Sequence, residues 1–219
     1  MLSLVRGQLE IKQHYLGLYF GSFDPVHAAH IDIPLKIKDD YMLDEIIYIP
    51  TGQSPINRRF HASCQDRLTM LKNAIKGYSF MSVSEFEIAS AQKSFSFNTI
   101  KHYKNKFQKS YIRLLLGEDN IINFSQWHKY KEIISMVNII VLARDNVPSY
   151  DKIKELENNI EENINLFNTT KSEKIHYSNK HKSSICASNV RALIRKNESI
   201  KEFVTKDNLE YIKSNGIYK

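Results

Sequence analysis

The chain has 219 residues, 42% of them hydrophobic, and its 31 Lys and Arg against 24 Asp and Glu give a formal net charge of +7. The hydrophobic share excludes a disordered chain. The length suits one domain or a domain with an appendage at about 100–200 residues per domain, while two cysteines, Cys64 and Cys186, are too few for a disulfide framework and lack zinc-site spacing. Of the 31 basic residues 23 are Lys, none in a block, so charge alone does not predict a nucleic-acid partner. No uncharged apolar run nears the roughly 20 residues of a membrane helix. Arg6, Glu10 and Lys12 interrupt the start where a secretory signal needs an apolar core, so a reducing cytoplasm and no membrane are expected.

Residues 1–14 read as an N-terminal extension and 15–219 as a single domain whose last part, from about 186, is helical. Leu16–Phe20 is a short apolar run ending at Gly21, and Pro34 in the helix after it should kink or delay that helix. Glu45–Pro50 is a second strand, followed by a helix at Asp66–Lys76 with Leu68, Leu71, Ala74 and Ile75 on one face. Phe80–Ile88 alternates in part, and Asn98–Phe107 has a helical pattern. Tyr111–Leu116 ends at Gly117; Trp127–Ile134 is helical; Met136–Ala143 is the most β-like run. Asp151–Asn163 carries Ile153, Leu156 and Ile160 at helical spacing, Lys174–Tyr177 is a sixth strand, and Ser199–Ser214 closes the chain as a helix. Alternating strands and helices with near-continuous apolar strands predict an α/β fold on a parallel sheet, with ligands outside the carboxyl ends of the strands.

The segment from Leu18 to His30, LYFGSFDPVHAAH, carries the sharpest chemistry. Gly21 admits a close approach to the backbone, and Asp24-Pro25 makes a rigid turn. His27 and His30 then fall three apart at a helix start, so their rings share one face at a terminus that favours anions. The arrangement suits a polyphosphate. Taken alone, such a pair is also compatible with a metal pair or two surface histidines. No carboxylate or third His stands beside them at zinc spacing, and the strand-Gly-Ser-Phe-Asp-Pro context favours phosphate.

That segment resembles the G-G-[ST]-F-D-P-x-H-x-G-H signature of the HxGH nucleotidyltransferases, with Phe20 for the first glycine and Ala29 for the glycine between the histidines. From about residue 15 to 218 the chain resembles the bacterial nicotinate-nucleotide adenylyltransferases. The resemblance runs through Ile49-Pro50-Thr51, Arg67-Leu68-Thr69-Met70-Leu71, Glu87-Ile88 with Ser94–Thr99, Gly117-Glu118-Asp119 with Trp127, Val141–Arg144, Ile185–Arg191 and the Tyr211…Tyr218 tail. It implies a Rossmann-like open parallel sheet with helices on both faces, of nucleotidyltransferase type. It also implies adenylyl transfer from ATP to nicotinate mononucleotide, with Mg²⁺ bridging ATP phosphates and few or no protein ligands to the metal.

The resemblance further implies residue roles. His27, His30 and Arg191 would be catalytic. Gly21, Ser22, Phe23, Asp24, Gly117, Asp119, Arg144 and Ser188 would bind ATP, and Thr51, Arg58, Ser96 and Trp127 the mononucleotide. Trp127 could equally be core, and Asp119 could cap the helix that follows. Cys186 and Ala187 replace two family serines, and Cys186 is expected as a small buried residue. Ile56 and Asn57 replace a family His-Lys, with Arg58 or Arg59 as substitute charges or as solvated loop residues. The partners implied are small molecules; a homodimer is left open. The alternatives are a related HxGH enzyme acting on nicotinamide mononucleotide or phosphopantetheine, a degenerate nucleotide-binding module, and, from the pI alone, an RNA-binding protein.

Overall fold

The protein is described by a computed structural model over residues 2–5, 8–11, 13–55, 59–90, 92–142, 150–178 and 185–219. In chain order the strands are β1 (Leu2–Val5), β2 (Gln8–Ile11), β3 (Tyr15–Gly21), β4 (Glu45–Pro50), β5 (Met81–Val83), β6 (Tyr111–Gly117), β7 (Asn138–Leu142) and β8 (Ile175–Ser178). The α-helices are α1 (Ala28–Ile37), α2 (Cys64–Ile75), α3 (Ser96–Lys106), α4 (Glu118–Ile121), α5 (Tyr130–Met136), α6 (Ile164–Thr169), α7 (Ala187–Arg195) and α8 (Lys206–Asn215). Short 3₁₀ segments occupy Phe124–Gln126 and Tyr150–Asn159.

β3 to β8 form one six-stranded sheet in the order β5-β4-β3-β6-β7-β8, and every pairing is parallel. The chain winds from β3 outward to β5, then returns to β6 beside β3 and winds the other way. The winding reverses between the carboxyl ends of β3 and β6, where an open α/β sheet leaves a crevice for ligands. Side chains alternate across each strand. Leu16, Leu18 and Phe20 of β3 therefore join Ile100, Ile112 and Ile133 on one face, while Tyr19 joins Ile31, Leu71 and Val190 on the other. Helices on both faces bury the sheet, which is why its strands read as unbroken apolar runs.

Several predicted elements moved. The extension at 1–14 contains an antiparallel pair, β1 with β2. β5 is only three residues long because the Ser84 hydroxyl accepts the Phe86 N–H at 3.1 Å and turns the chain. α5 starts at Tyr130, not Trp127, behind a left-handed Lys129 (φ 58°), and Met136 belongs to it rather than to the strand. Tyr150–Asn159 is 3₁₀ rather than α-helical, with a kink at Ile153. Ile153 and Leu156, three apart, are both buried, as three residues per turn requires. The final helix begins at Lys206, where the Thr205 hydroxyl accepts the Asn208 N–H.

At the amino end of the sheet sits Arg113, fully buried in β6. Its guanidinium donates to the carbonyls of Phe167 (3.2 Å), Thr170 (3.2 Å) and Asn168 (3.0 Å) at the end of α6. Asn138 of β7 donates to two of the same carbonyls, at 3.2 and 3.0 Å. A cation at a helix C-terminus complements the backbone dipole. Burial lowers the Arg113 pKa to about 10.

Candidate active site

The loop leaving β3 is fixed from three directions. The buried Asp24 carboxylate accepts the N–H groups of His61 (2.7 Å) and Ala62 (3.0 Å) just before α2. Arg67 of α2, fully buried, donates to the Ser22 carbonyl at 2.9 Å and lies 4.2 Å from the Phe60 ring centre. Arg191 of α7 donates to the Asp24 carbonyl, which brings the far end of the chain onto the first loop. Burial, then the Asp24 charge, push the Tyr218 phenol well up, so the C-terminal tail lies beside the same turn.

His27 is the N-cap of α1 and His30 the third residue of that helix. Their ring centres are 3.7 Å apart. The His30 Nδ1 accepts the His27 backbone N–H at 3.1 Å, so a neutral His30 carries its proton on Nε2. The Phe23 and Tyr19 rings stand 5.1 and 6.1 Å from it. The Ala28 N–H, one of the helix-end donors an anion could take, is bonded instead to the Phe203 carbonyl at 2.8 Å. Pro34 does not delay the helix: α1 starts at Ala28 and runs through Pro34 to Ile37.

Above these groups a cavity of about 720 Å³ opens at the crossover between β3 and β6. His27, His30, Gly21, Ser22, Thr51, Gly117, Asp119, Ser188, Arg191, Ser96 and Trp127 all line it, so the structure brings together most of the residues singled out in the sequence. Phe23 and Asp24 are not among the lining residues. Both are buried beneath the loop, Phe23 against His30 and Asp24 as the tie described above. Arg58 and Arg144, with Ile56 and Asn57, lie outside the described residues.

Other expectations resolve on the walls. Trp127 lines the cavity and also packs against the core, 5.3 Å from Phe124. Gly117, not Asp119, is the N-cap of α4. Cys186, expected to be buried, is half-exposed on the wall at the N-cap of α7, with its sulfur 3.0 Å from the Ser188 hydroxyl. Phe20 both lines the cavity and packs in the core.

Two further lining residues, Glu87, named in the sequence only as part of a motif, and His128, were given no role from the sequence. Glu87 lines the cavity and is 4% exposed, accepting from the Thr99 hydroxyl at 2.8 Å. Burial pushes its carboxyl above the ordinary 4.5, with the Thr99 hydrogen bond and the Arg67 charge opposing. A side chain at Gly52 would come within 2.1 Å of the Glu87 carbonyl, so that approach requires glycine. The signal was an acid just after an apolar run, facing a glycine after another strand. His128 also lines the cavity, 4.7 Å from Phe95, beside the only tryptophan; nothing in its spacing marked it.

A parallel sheet wound in this order, with paired histidines and an arginine at its crossover, defines an α/β nucleotidyltransferase-type protein. Comparison with known proteins makes this specific: the chain belongs to the cytidylyltransferase-like family, whose model matches residues 18–215. The "probable nicotinate-nucleotide adenylyltransferase" of Aquifex aeolicus (strain VF5) is 35% identical over 138 residues, covering 63% of this chain and 81% of that one. The protein of the same name from Gemmatimonas aurantiaca is 26% identical over 93% of this chain and 92% of its own. Among solved structures, Plasmodium falciparum nicotinic acid mononucleotide adenylyltransferase complexed with NaAD matches in fold with a TM-score of 0.73 at 19% identity, over 94% of this chain and 98% of that one. The resemblance and the fold class read from the sequence are both borne out.

Proposed function

We propose that the protein transfers the adenylyl group of ATP to nicotinate mononucleotide, releasing pyrophosphate and forming nicotinate adenine dinucleotide. The observation that carries this is one cavity lined both by His27, His30 and Arg191 and by Ser96 and Trp127. The mononucleotide phosphate is already anionic, so it attacks the α-phosphorus in line without a general base. Catalysis then rests on alignment and on neutralising charge as pyrophosphate leaves. The His30 Nε2–H and His27 donate to ATP phosphate oxygens, and the Arg191 fork receives the β- and γ-phosphates.

Gly21, Ser22, Gly117, Asp119 and Ser188 border the nucleotide, while Phe23 and Asp24 act from beneath by holding the loop. Thr51, Ser96 and Trp127 border the mononucleotide, the indole against the pyridine ring and the Ser96 hydroxyl toward the nicotinate carboxylate. Arg144 stays assigned to ATP and Arg58 to the mononucleotide. Mg²⁺ arrives with ATP as part of the substrate. The imidazole and guanidinium donors of the wall suit phosphate rather than a hard cation, and among the described residues no group of three His, Cys, Asp or Glu is placed to hold a metal. Residues 15–219 form the catalytic domain in this reading, with 1–14 appended. A homodimer is compatible with it, and the cytoplasm is its setting. Among the described residues no helix is long and apolar enough to cross a membrane.

Pyrophosphate release is measured with ATP and, in parallel, nicotinate mononucleotide, nicotinamide mononucleotide and phosphopantetheine. The expected outcome is kcat/KM at least about tenfold higher for the nicotinate acceptor, as a site built for a carboxylate rejects a neutral analogue. Release with another acceptor alone, or ATP binding with no release, overturns the proposal.

A further inference from the structure

Proline has no amide hydrogen, so in a helix the carbonyl four residues earlier loses its usual partner. In α1 the proline is Pro34 and that carbonyl belongs to His30. The Tyr48 hydroxyl of β4 donates to this carbonyl at 2.9 Å. Tyr48 is fully buried, and burial holds its phenol well above the ordinary value of 10.0, so the group remains a proton donor throughout the neutral range. The Met81 sulfur, at 3.7 Å from the same hydroxyl, is the weaker acceptor.

The ring of Tyr48 reaches the same histidine by a second route. It stands 5.4 Å from the Tyr19 ring and 5.7 Å from that of Phe23, the two aromatics packed against His30. We infer that Tyr48 is a positioning residue for His30: its hydroxyl occupies the carbonyl that Pro34 leaves open and thereby fixes where the His30 ring meets the substrate phosphates. The His30 Nδ1 is already held by the His27 N–H, so backbone and ring are anchored separately and Nε2 has one direction to point. Helix, strand and histidine are thus joined at a single carbonyl. A proline that reads in the sequence as a defect is the condition that lets β4 grip the residue.

The inference rests on the proposed activity for its kinetic consequence but not for its structural one, and the experiment separates the two. Tyr48→Phe keeps the ring and removes only the hydroxyl. Pro34→Ala supplies an amide that can satisfy the His30 carbonyl from within the helix. In the Pro34 background, Tyr48→Phe is expected to lower kcat about five- to tenfold with KM for ATP within about twofold, the pattern of a lost transition-state interaction. In the Pro34→Ala background the same change is expected to cost less than about twofold. Equal losses in both backgrounds, or no loss in either, overturn the inference.

The His30 ring nitrogens, followed by NMR in the absence of substrate, give a readout independent of turnover. Their resonances are expected to shift on Tyr48→Phe in the Pro34 protein and not in the Pro34→Ala protein. Unmoved resonances in the Pro34 protein overturn the positioning role, even if no acceptor supports turnover.

Discussion

Arg113 and Arg191 sit at opposite ends of one sheet and both donate to backbone carbonyls, yet they are differently used. Arg113 is fully buried, and three carbonyls at the end of α6 take its donors. Arg191 gives one N–H to the Asp24 carbonyl and otherwise borders the cavity. A guanidinium enclosed by carbonyls is part of the scaffold. One that spends a single donor on the scaffold is aimed by it while the fork stays available to an anion. The amino end of the sheet should therefore govern stability and the carboxyl end turnover.

The largest expected effect lies at the carboxyl end. His27→Ala or His30→Ala should lower kcat about 10²–10³-fold, the usual cost of losing one charge-stabilising donor, with the circular-dichroism spectrum unchanged. A drop below about tenfold would remove these histidines from the reaction. At the other end, Arg113→Met should cost about 2 kcal/mol of stability, a fall in Tm of roughly 4–8 °C. Asn138 and the Tyr15 hydroxyl still serve the same carbonyls, which limits the loss. Activity per folded molecule should not change; a kcat loss as large as that at His27 would erase the contrast between the two ends.

The smallest effect tests a group between the two regimes, a buried carboxyl on the cavity wall. Because the folded Glu87 pKa lies above its ordinary 4.5, the native state binds more protons than the unfolded state between those values. Stability linked to this group is full below about pH 4.5 and is lost as pH rises through the folded value. Glu87→Gln retains an acceptor for Thr99 and removes the titration. The Tm of the variant relative to the parent should rise by a few degrees between about pH 4.5 and 8. A constant difference across that range would mean that Glu87 does not resist ionisation in the fold.

How much of this was legible depended on whether a signal was local. Six apolar runs bounded by Gly, Pro or polar residues marked the six parallel strands, because strands buried on both faces need little else. His27, His30 and Arg191 were legible because a short motif resembling a known family carries each. The misread elements had ambiguous periods. Ile153 and Leu156 are three apart, a spacing shared by the α-helix and the 3₁₀ turn that formed. His128 and the tie from Tyr48 to His30 depend on contacts between segments far apart in sequence, and no local pattern encodes them; Glu87 stands in a motif of the resemblance, but its burial against Gly52 and Thr99 is likewise a contact between separate segments. Asp24 was read as a ligand-facing residue from its place in the motif, whereas its carboxylate is spent on His61 and Ala62.

The bonds from Arg191 to the Asp24 carbonyl and from Ala28 to the Phe203 carbonyl also tie the site to segments that follow the sheet in the chain. The last strand of the sheet ends at Ser178, before any residue of α7 has been added. A chain of that length carries the strand residues and both histidines but neither bond, so the cavity lacks Arg191 and the start of α1 lacks its brace. The sheet alone is therefore not the whole site: a chain cut after Ser178 keeps the strands but loses the residues of α7 that line the cavity beside the histidines.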